Sequence, residues 1–403
     1  MSHRGPAGKP PSVLLNPFQT HRTLVANSLV HAINDGYVAA IYPLLPLIAA
    51  EFQAGYGMTS LVKMGLTGAL GLFELPAGLL AERLGENLIL AVGTTWLALG
   101  FAGMGMAIAV WQLVLLAVIA GIGGAAQHPL SASLVSRAYP PRSRGSAIGT
   151  LNFAGDIGKA LVPPLCAWLA ILVGWRQAML VLGMVGLPLV LAFVVLSKKN
   201  TQYQTGSPEP VSSSISGWGI VDYRRFTALS ALGVFDSAVR SAALTLLPFL
   251  LQAKGLDTPS IGALISLIFI SGALGKFGCG PLGDRFGAVS VVLATEIATG
   301  LVVVAFLPAQ GYWLWVLAAA FGFFLNGTSS ILYAAVADLV SAERRARGYA
   351  LYYSLGLLSS AFAPVLFGIL ADHSSLEASL ALVAFTAVLT LPLAPLLPPR
   401  ATA

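Results

Sequence analysis

The chain has 403 residues, of which 57% are hydrophobic and only 9% charged, with two cysteines and a net charge of +6. A soluble domain carries about 25% charged residues, so the composition excludes a soluble globular protein. The two cysteines provide no disulfide framework. The net charge of +6 does not suggest a nucleic-acid partner. The high apolar and low charged content predicts an integral membrane protein in a lipid bilayer.

Twelve apolar segments follow one another, and a bilayer is crossed by about 20 apolar residues. The first six lie at about 24–50, 58–81, 88–109, 111–137, 145–172 and 176–196. The second six lie at about 226–252, 259–283, 287–308, 312–338, 348–371 and 376–397. A polar stretch rich in Ser, Gly and Pro separates the two sets. These segments predict an all-α integral membrane protein with twelve transmembrane helices in two six-helix bundles.

The domain organisation follows from this spacing. We expect a cytoplasmic N-terminal segment at 1–23, an N-terminal bundle at 24–196, a cytoplasmic linker at 197–225, a C-terminal bundle at 226–397 and a tail at 398–403.

Lysine and arginine predict the orientation. Most of the 22 basic residues lie in loops on one side, and only Lys63, Arg176 and Lys254 fall on the other. Because cytoplasmic loops are enriched in Lys and Arg, both termini are expected in the cytoplasm. A bacterial inner membrane is the expected location.

An internal repeat relates the two halves. Gly78-Leu-Leu-Ala-Glu82-Arg83-Leu-Gly85 recurs as Gly280-Pro-Leu-Gly-Asp284-Arg285-Phe-Gly287, and Asp35 recurs as Asp236. Parallel repeats of six helices are typical of secondary transporters.

The first segment carries the most informative polar residues. His31 and Asp35 are four residues apart and share a helix face. Ionisable side chains inside a membrane are costly and mark substrate or proton pathways. We predict proton coupling by these two residues, and Asn34, Tyr37 and Tyr42 as candidates for the substrate cavity. The alternative is a buried hydrogen-bonded pair that fixes helix packing.

Three further sites carry polar groups in apolar segments. Asp156 and Lys159 share a face and predict an ion pair, in which Asp156 could also carry a proton. Asp236 and Arg240 predict a second pair, whose arginine could bind an anionic substrate. His128 precedes a proline that can kink the fourth helix. We place His128, Lys159, Asp236 and Arg240 in the substrate cavity; purely structural roles are the alternative.

Glu74 and Lys276 occupy equivalent positions in the repeat. Their opposite charges could meet between the two halves, and we expect a structural role for both.

The Gly-x-x-x-Asp-Arg-x-Gly pattern at Gly280 to Gly287, with its variant carrying Glu82, resembles the loop motif of the major facilitator superfamily. The resemblance covers essentially the whole chain. It implies alternating access and a cytoplasmic gate, in which a motif carboxylate caps a neighbouring helix and pairs with loop arginines. The residues placed in this gate are Glu82, Arg83, Asp284, Arg285, Arg144 and Arg347.

Within that superfamily, the chain is most similar to fosmidomycin resistance proteins. The residues that carry this likeness are His31 to Asp35, Tyr37 to Pro46, Gly121, Gly123, His128, Pro129, Gly155, Asp156, Gly158, Lys159 and Pro163. The resemblance implies an inner-membrane efflux pump that exchanges a drug for protons. The arginine that many such antiporters carry in helix four is absent between Ala117 and Ile122.

No nucleotide-binding loop and no Cys/His metal cluster stands out, so we expect neither an enzyme nor a cofactor. The proton gradient is the expected energy source, with a small polar, anionic or amphiphilic compound as substrate and a monomeric carrier. The alternatives are a proton-coupled importer or facilitator and, from another class, an integral membrane enzyme or a non-transporting receptor.

Overall fold

The computed structural model describes residues 17–197, 218–341 and 344–397. Within these ranges eleven helical stretches are long and apolar enough to cross a membrane, and Leu376–Val388 is a shorter apolar helix. The predicted all-α membrane fold is therefore confirmed.

The first half supplies the first group of helices. These are α1 (Pro17–Phe52), α2 (Tyr56–Leu84), α3 (Glu86–Met104), α4 (Val110–Gly124), α5 (Gln127–Ala138), α6 (Pro141–Val173) and α7 (Trp175–Ser197).

The second half supplies the second group. These are α8 (Tyr223–Ala253), α9 (Thr258–Phe286), α10 (Ala288–Phe306), α11 (Tyr312–Leu339), α12 (Arg345–His373) and α13 (Leu376–Val388).

The fourth predicted segment is broken into α4 and α5. Ala125 and Ala126 form a turn between the two helices. Proline clashes with the carbonyl four residues earlier, and Pro129 stands four residues after Ala125. The break places His128 in the first turn of α5, inside the bundle.

Two helix ends differ from the apolar segments. The first helix begins at Pro17 instead of residue 24, because the polar residues before the apolar run continue the helix and proline suits its first position. The last helix ends at Val388, and a short 3-10 helix follows at Ala394–Leu396. Pro392 removes the hydrogen bond that would extend α13 past Val388.

Two helix pairs make most of the contact between the halves: α2 packs against α12, and α6 packs against α9. Gly57 and Gly368 permit the first contact, since a Cβ at Gly368 would lie 2.9 Å from the Gly57 backbone. Small residues let membrane helices approach closely. Cys166 and Cys279 are both free and buried.

Candidate substrate and proton site

Asp35 on α1 is the centre of a charged cluster between the halves. Its side chain is 5% exposed, and its Oδ2 lies 2.7 Å from the Nζ of Lys159 on α6. The Nε2 atoms of His31 and His128 each lie 3.6 Å from the same carboxylate. Asp35 therefore has an ammonium partner and two imidazole neighbours.

Glycines on α6 allow this close approach. A Cβ at Gly155 would lie 2.5 Å from the Oδ2 of Asp35, and one at Gly158 would overlap the backbone of Ala32. Both positions therefore require the absence of a side chain, which explains why α1 and α6 pack so tightly beside the carboxylate.

The cluster continues into the second half. Lys159 also lies 3.5 Å from Asp156, as the sequence predicted, although its nearer carboxylate is that of Asp35. Lys276 on α9 donates to both oxygens of Asp156 at 2.9 and 2.8 Å. Two lysines and two aspartates thus alternate across the interface.

The contact between Lys276 and Asp156 was not predicted, because the repeat suggested Glu74 as the partner of Lys276. Lys276 was visible in the sequence as a lysine inside an apolar segment, but its partner could not be read from spacing because Asp156 lies 120 positions away.

Arg240 forms the corresponding cluster in the C-terminal half. Its guanidinium donates to Asp236 at 2.9 Å, as predicted, and to Asn326 at 2.6 Å. It also donates to the carbonyl of Leu325 and to the hydroxyl of Ser329 on α11. Asp236 is its only carboxylate partner among the described residues, so an anion could compete for the arginine.

The other predicted cavity residues of α1 take different places. Asn34 is buried beside Asp35, with its Nδ2 3.4 Å from the carboxylate. Tyr42 is buried, and Lys159 and Arg240 are the cations that interact electrostatically with its hydroxyl group. Tyr37 donates to the carbonyl of Leu182 at 2.5 Å, inside the N-terminal bundle. The structure does not bring Tyr37 into the charged cluster.

The cluster is partly exposed, since Lys159 and Lys276 are 29% and 37% exposed. Towards the end away from the arginine-rich loops, Tyr42 is buried against the partly buried Phe269, and the ammonium of Lys63 lies over the Tyr42 ring. These side chains cover the cluster towards that end.

The end away from the arginine-rich loops is also held by a contact between the halves. Asp372 on α12 accepts hydrogen bonds from the amides of Tyr56 and Gly57 at 2.7 and 2.9 Å. A carboxylate at a helix N-terminus is stabilised by about 0.3–1 kcal/mol through the helix dipole. Asp372 therefore caps α2 from the other half, a role that no sequence motif indicated.

The residues of the predicted cytoplasmic gate lie at the arginine-rich end. Glu82, Arg83, Arg144 and Arg347 are exposed there, and the side chain of Asp284 lies outside the described residues. Arg285 lies over the ring of Phe286.

A further ion pair at this end involves Glu86, which is not one of the predicted gate residues. Arg137 contacts Glu86, which also accepts from Ser133 at 2.9 Å. Both partners belong to the N-terminal half, so this pair does not join the halves.

His31, Asp35 and His128 offer three ligand atoms within 4.8 Å of one another and could in principle hold a metal ion. The ammonium of Lys159, however, lies 2.7 Å from the same carboxylate and would repel a cation. The donor set therefore fits an internal ion pair better than a metal.

Two helical bundles with a charged cluster where they meet have the architecture of a membrane transporter. The sequence profile of the Major Facilitator Superfamily matches residues 28–237 and 229–403, and the chain belongs to this family. The expected resemblance is thereby confirmed, and a transporter instead of an enzyme is indicated.

Curated relatives share low identity over most of the chain. The probable L-galactonate transporter of Escherichia coli K12 is 26% identical over 75% of this chain and 72% of its own length. The gallate transporter of Pseudomonas putida is 25% identical over 83% and 82%. The fosmidomycin resistance protein of Escherichia coli K12 is 22% identical over 91% and 90%.

A solved structure supports the fold. The crystal structure of a bacterial homologue of the human lysosomal transporter Spinster, inward-facing and unoccupied, superposes with a TM-score of 0.72. The two sequences are 16% identical, and the match covers 94% of this chain and 97% of the other.

Proposed function

We propose that this transporter carries a small organic anion together with protons, and that the inward proton gradient drives uptake. The observation that supports this most directly is the 2.7 Å contact between Lys159 and Asp35. When Asp35 is ionised, it occupies the ammonium that an anionic substrate would need. When Asp35 is protonated, the ammonium is released.

This arrangement makes proton and anion binding cooperative. The protonated site offers Lys159 from one half and Arg240 from the other, and an anion between them would draw the halves together. A ligand shifts a conformational equilibrium only by its differential affinity for the two states. A cavity that binds anion and proton together, and neither well alone, meets this requirement for symport.

The substrate class fits the relatives, since L-galactonate and gallate are organic acids. Arginine and lysine are the side chains that bind carboxylates through charge-assisted hydrogen bonds.

Export in exchange for protons, which the sequence predicted, is the second candidate. It is favoured by the likeness of His31 to Asp35, His128 and Lys159 to fosmidomycin resistance proteins, because these residues all lie in the cluster. A relative of that name covers 91% of the chain.

Proteoliposomes containing a pH-sensitive dye separate the two candidates. L-Galactonate, gallate and fosmidomycin are the probes, each supplied outside and, in a second set, preloaded inside. Symport predicts that an external probe acidifies the lumen. Antiport predicts that an imposed proton gradient drives the preloaded probe out while its protons enter.

Lys159→Gln should abolish either response, and Lys254→Gln is the matched control. Lys254 lies outside the cluster and donates to the carbonyl of Leu307. If none of the three probes changes the lumenal pH, the proposal is excluded for these compounds.

A further inference from the structure

Glu296 on α10 is a membrane-buried acid that the proposed site does not use. It is 2% exposed, and its neighbours include a group of buried threonines. Among the described residues, no Lys, Arg or His nitrogen lies within 4.0 Å of its carboxyl group. An ionised carboxylate in such surroundings is strongly disfavoured.

The hydroxyl groups around Glu296 make their shortest hydrogen bonds to other acceptors. The Oγ1 of Thr390 lies 3.4 Å from the Oε2 of Glu296 but only 2.5 Å from the carbonyl of Ala387, to which it donates. Thr328 also contacts the carboxyl, but donates to Thr295 at 2.7 Å. Thr295 in turn donates to the carbonyl of Val291 at 2.9 Å.

A hydroxyl carries one proton, and a carbonyl can only accept. Because the shorter hydrogen bonds of Thr390 and Thr328 go to other acceptors, both hydroxyl oxygens are placed to accept from Glu296. A proton on the carboxyl group would supply that hydrogen bond.

The charged groups that face Glu296 are Asp236 and Arg240 on α8. Arg240 donates to Leu325 and Ser329 of α11, next to Thr328, which contacts Glu296. The phenol of Tyr352 on α12 is a further titratable neighbour. Thr328 of α11 and Thr390, in the turn after α13, contribute hydroxyl groups. Two acids, Asp236 and Glu296, thus share one cation.

We propose that Glu296 holds a proton in this conformation and forms, with Asp236, a second protonation site that serves Arg240. One proton and one positive charge balance the two acids. While Asp236 pairs with Arg240, the proton stays on Glu296. If Asp236 loses its charge, Glu296 releases its proton to solvent and becomes the counterion of Arg240.

Infrared difference spectroscopy of the purified full chain in lipid tests this without any substrate. A protonated carboxylic acid has a carbonyl stretch that an ionised one lacks. Wild type at neutral pH should show this band, and Glu296→Gln should lose it. Glu51→Gln is the control and should keep it, because Glu51 has a guanidinium partner, Arg176, at 2.7 Å.

Asp236→Asn tests the sharing. It removes the present counterion of Arg240, so Glu296 should ionise and the band should disappear at neutral pH. A band that is unchanged in Glu296→Gln would show that Glu296 is ionised and would overturn the proposal. A band that survives in Asp236→Asn would show a permanently protonated, structural acid and would equally overturn it.

This test is independent of the proposed function. Failure to find a transported anion would leave the infrared result unaffected, and a negative infrared result would leave symport through Asp35 untouched.

Discussion

Lys276 of the C-terminal half donates to both carboxylate oxygens of Asp156 of the N-terminal half, at 2.9 and 2.8 Å. The pair lies between α9 and α6, two of the helices that join the halves. It connects the cluster around Asp35 to the second bundle. A change of charge at Asp156 therefore alters the electrostatic interactions of residues in both halves.

Lys276→Gln should destabilise the protein, because Asp156 keeps only Lys159 at 3.5 Å. We expect a loss of about 1–3 kcal/mol in the free energy of unfolding, between the values typical of exposed and of buried pairs. Thermal unfolding of the purified protein measures this. Lys276→Gln combined with Asp156→Asn should recover part of the loss. Equal melting temperatures for wild type and Lys276→Gln would contradict the prediction.

Asp35→Asn should uncouple transport from protons. The neutral amide resembles the protonated acid and leaves Lys159 without its nearest carboxylate partner at every pH. Binding of a transported anion should then lose its pH dependence, and exchange of labelled for unlabelled anion should continue. Accumulation driven by a proton gradient should stop. Asp257→Asn is the control, and proton-driven accumulation by Asp35→Asn would assign the coupling elsewhere, with Asp156 next.

Arg240→Gln and Lys159→Gln should each weaken binding of an anionic substrate. A hydrogen bond to a charged group contributes about 1.5–3 kcal/mol, which corresponds to about a 10- to 100-fold change in affinity. The measurement is equilibrium binding of the probe that wild type transports. Lys254→Gln should bind normally, and wild-type affinity in both cluster variants would rule out the anion site.

Asp372→Ala should open the end of the protein that lies away from the arginine-rich loops. It removes two hydrogen bonds to the start of α2 and the favourable charge at that helix N-terminus. A cysteine placed at the buried Ser60 should then react faster with a maleimide. The native cysteines are buried and should contribute little background.

Asp257→Ala is the matched control for that experiment. Hydrogen bonds from the hydroxyl and amide of Ser260 hold the pKa of Asp257 below its usual range, so it is an ionised helix cap. It caps its own helix, α9, instead of a helix of the other half. Equal labelling of the two alanine variants would remove the special role of Asp372.

The cytoplasmic gate remains a prediction. Asp284→Asn should favour the conformation open to the cytoplasm and slow turnover, because a gate carboxylate would lose its charge. Labelling of a cysteine at the exposed Phe153 by a reagent on the cytoplasmic side would report this. Asp257→Asn is the control outside the gate, since Asp257 caps the start of α9. Identical labelling and transport in Asp284→Asn and wild type would exclude the gate.

Apolar runs and repeats were sufficient to predict the helices and the two bundles. Proline explains two places where a helix is interrupted or ends inside an apolar run. The turn before Pro129 and the end of α13 before Pro392 both follow from missing backbone hydrogen bonds. Hydropathy alone cannot register either effect, because these segments stay apolar throughout.

Spacing along one helix predicted the pairs His31–Asp35, Asp156–Lys159 and Asp236–Arg240, and all three are close in space. Spacing could not predict that Lys159 prefers Asp35, nor that Asp372 caps α2. Such contacts depend on how each helix is rotated about its axis, which is fixed by packing against neighbours at distant positions in the chain.

The alternation of Asp35, Lys159, Asp156 and Lys276 has a bioenergetic consequence. Their formal charges cancel, as do those of Asp236 and Arg240, when the histidines are neutral. A membrane potential of 100 mV acts on each uncompensated charge with about 2.3 kcal/mol. These two clusters would thus contribute no net charge movement when the empty carrier reorients. For these clusters, the membrane potential would act only on the charge of the transported anion and its protons. An anion accompanied by one proton per negative charge would then cross the membrane without net charge movement.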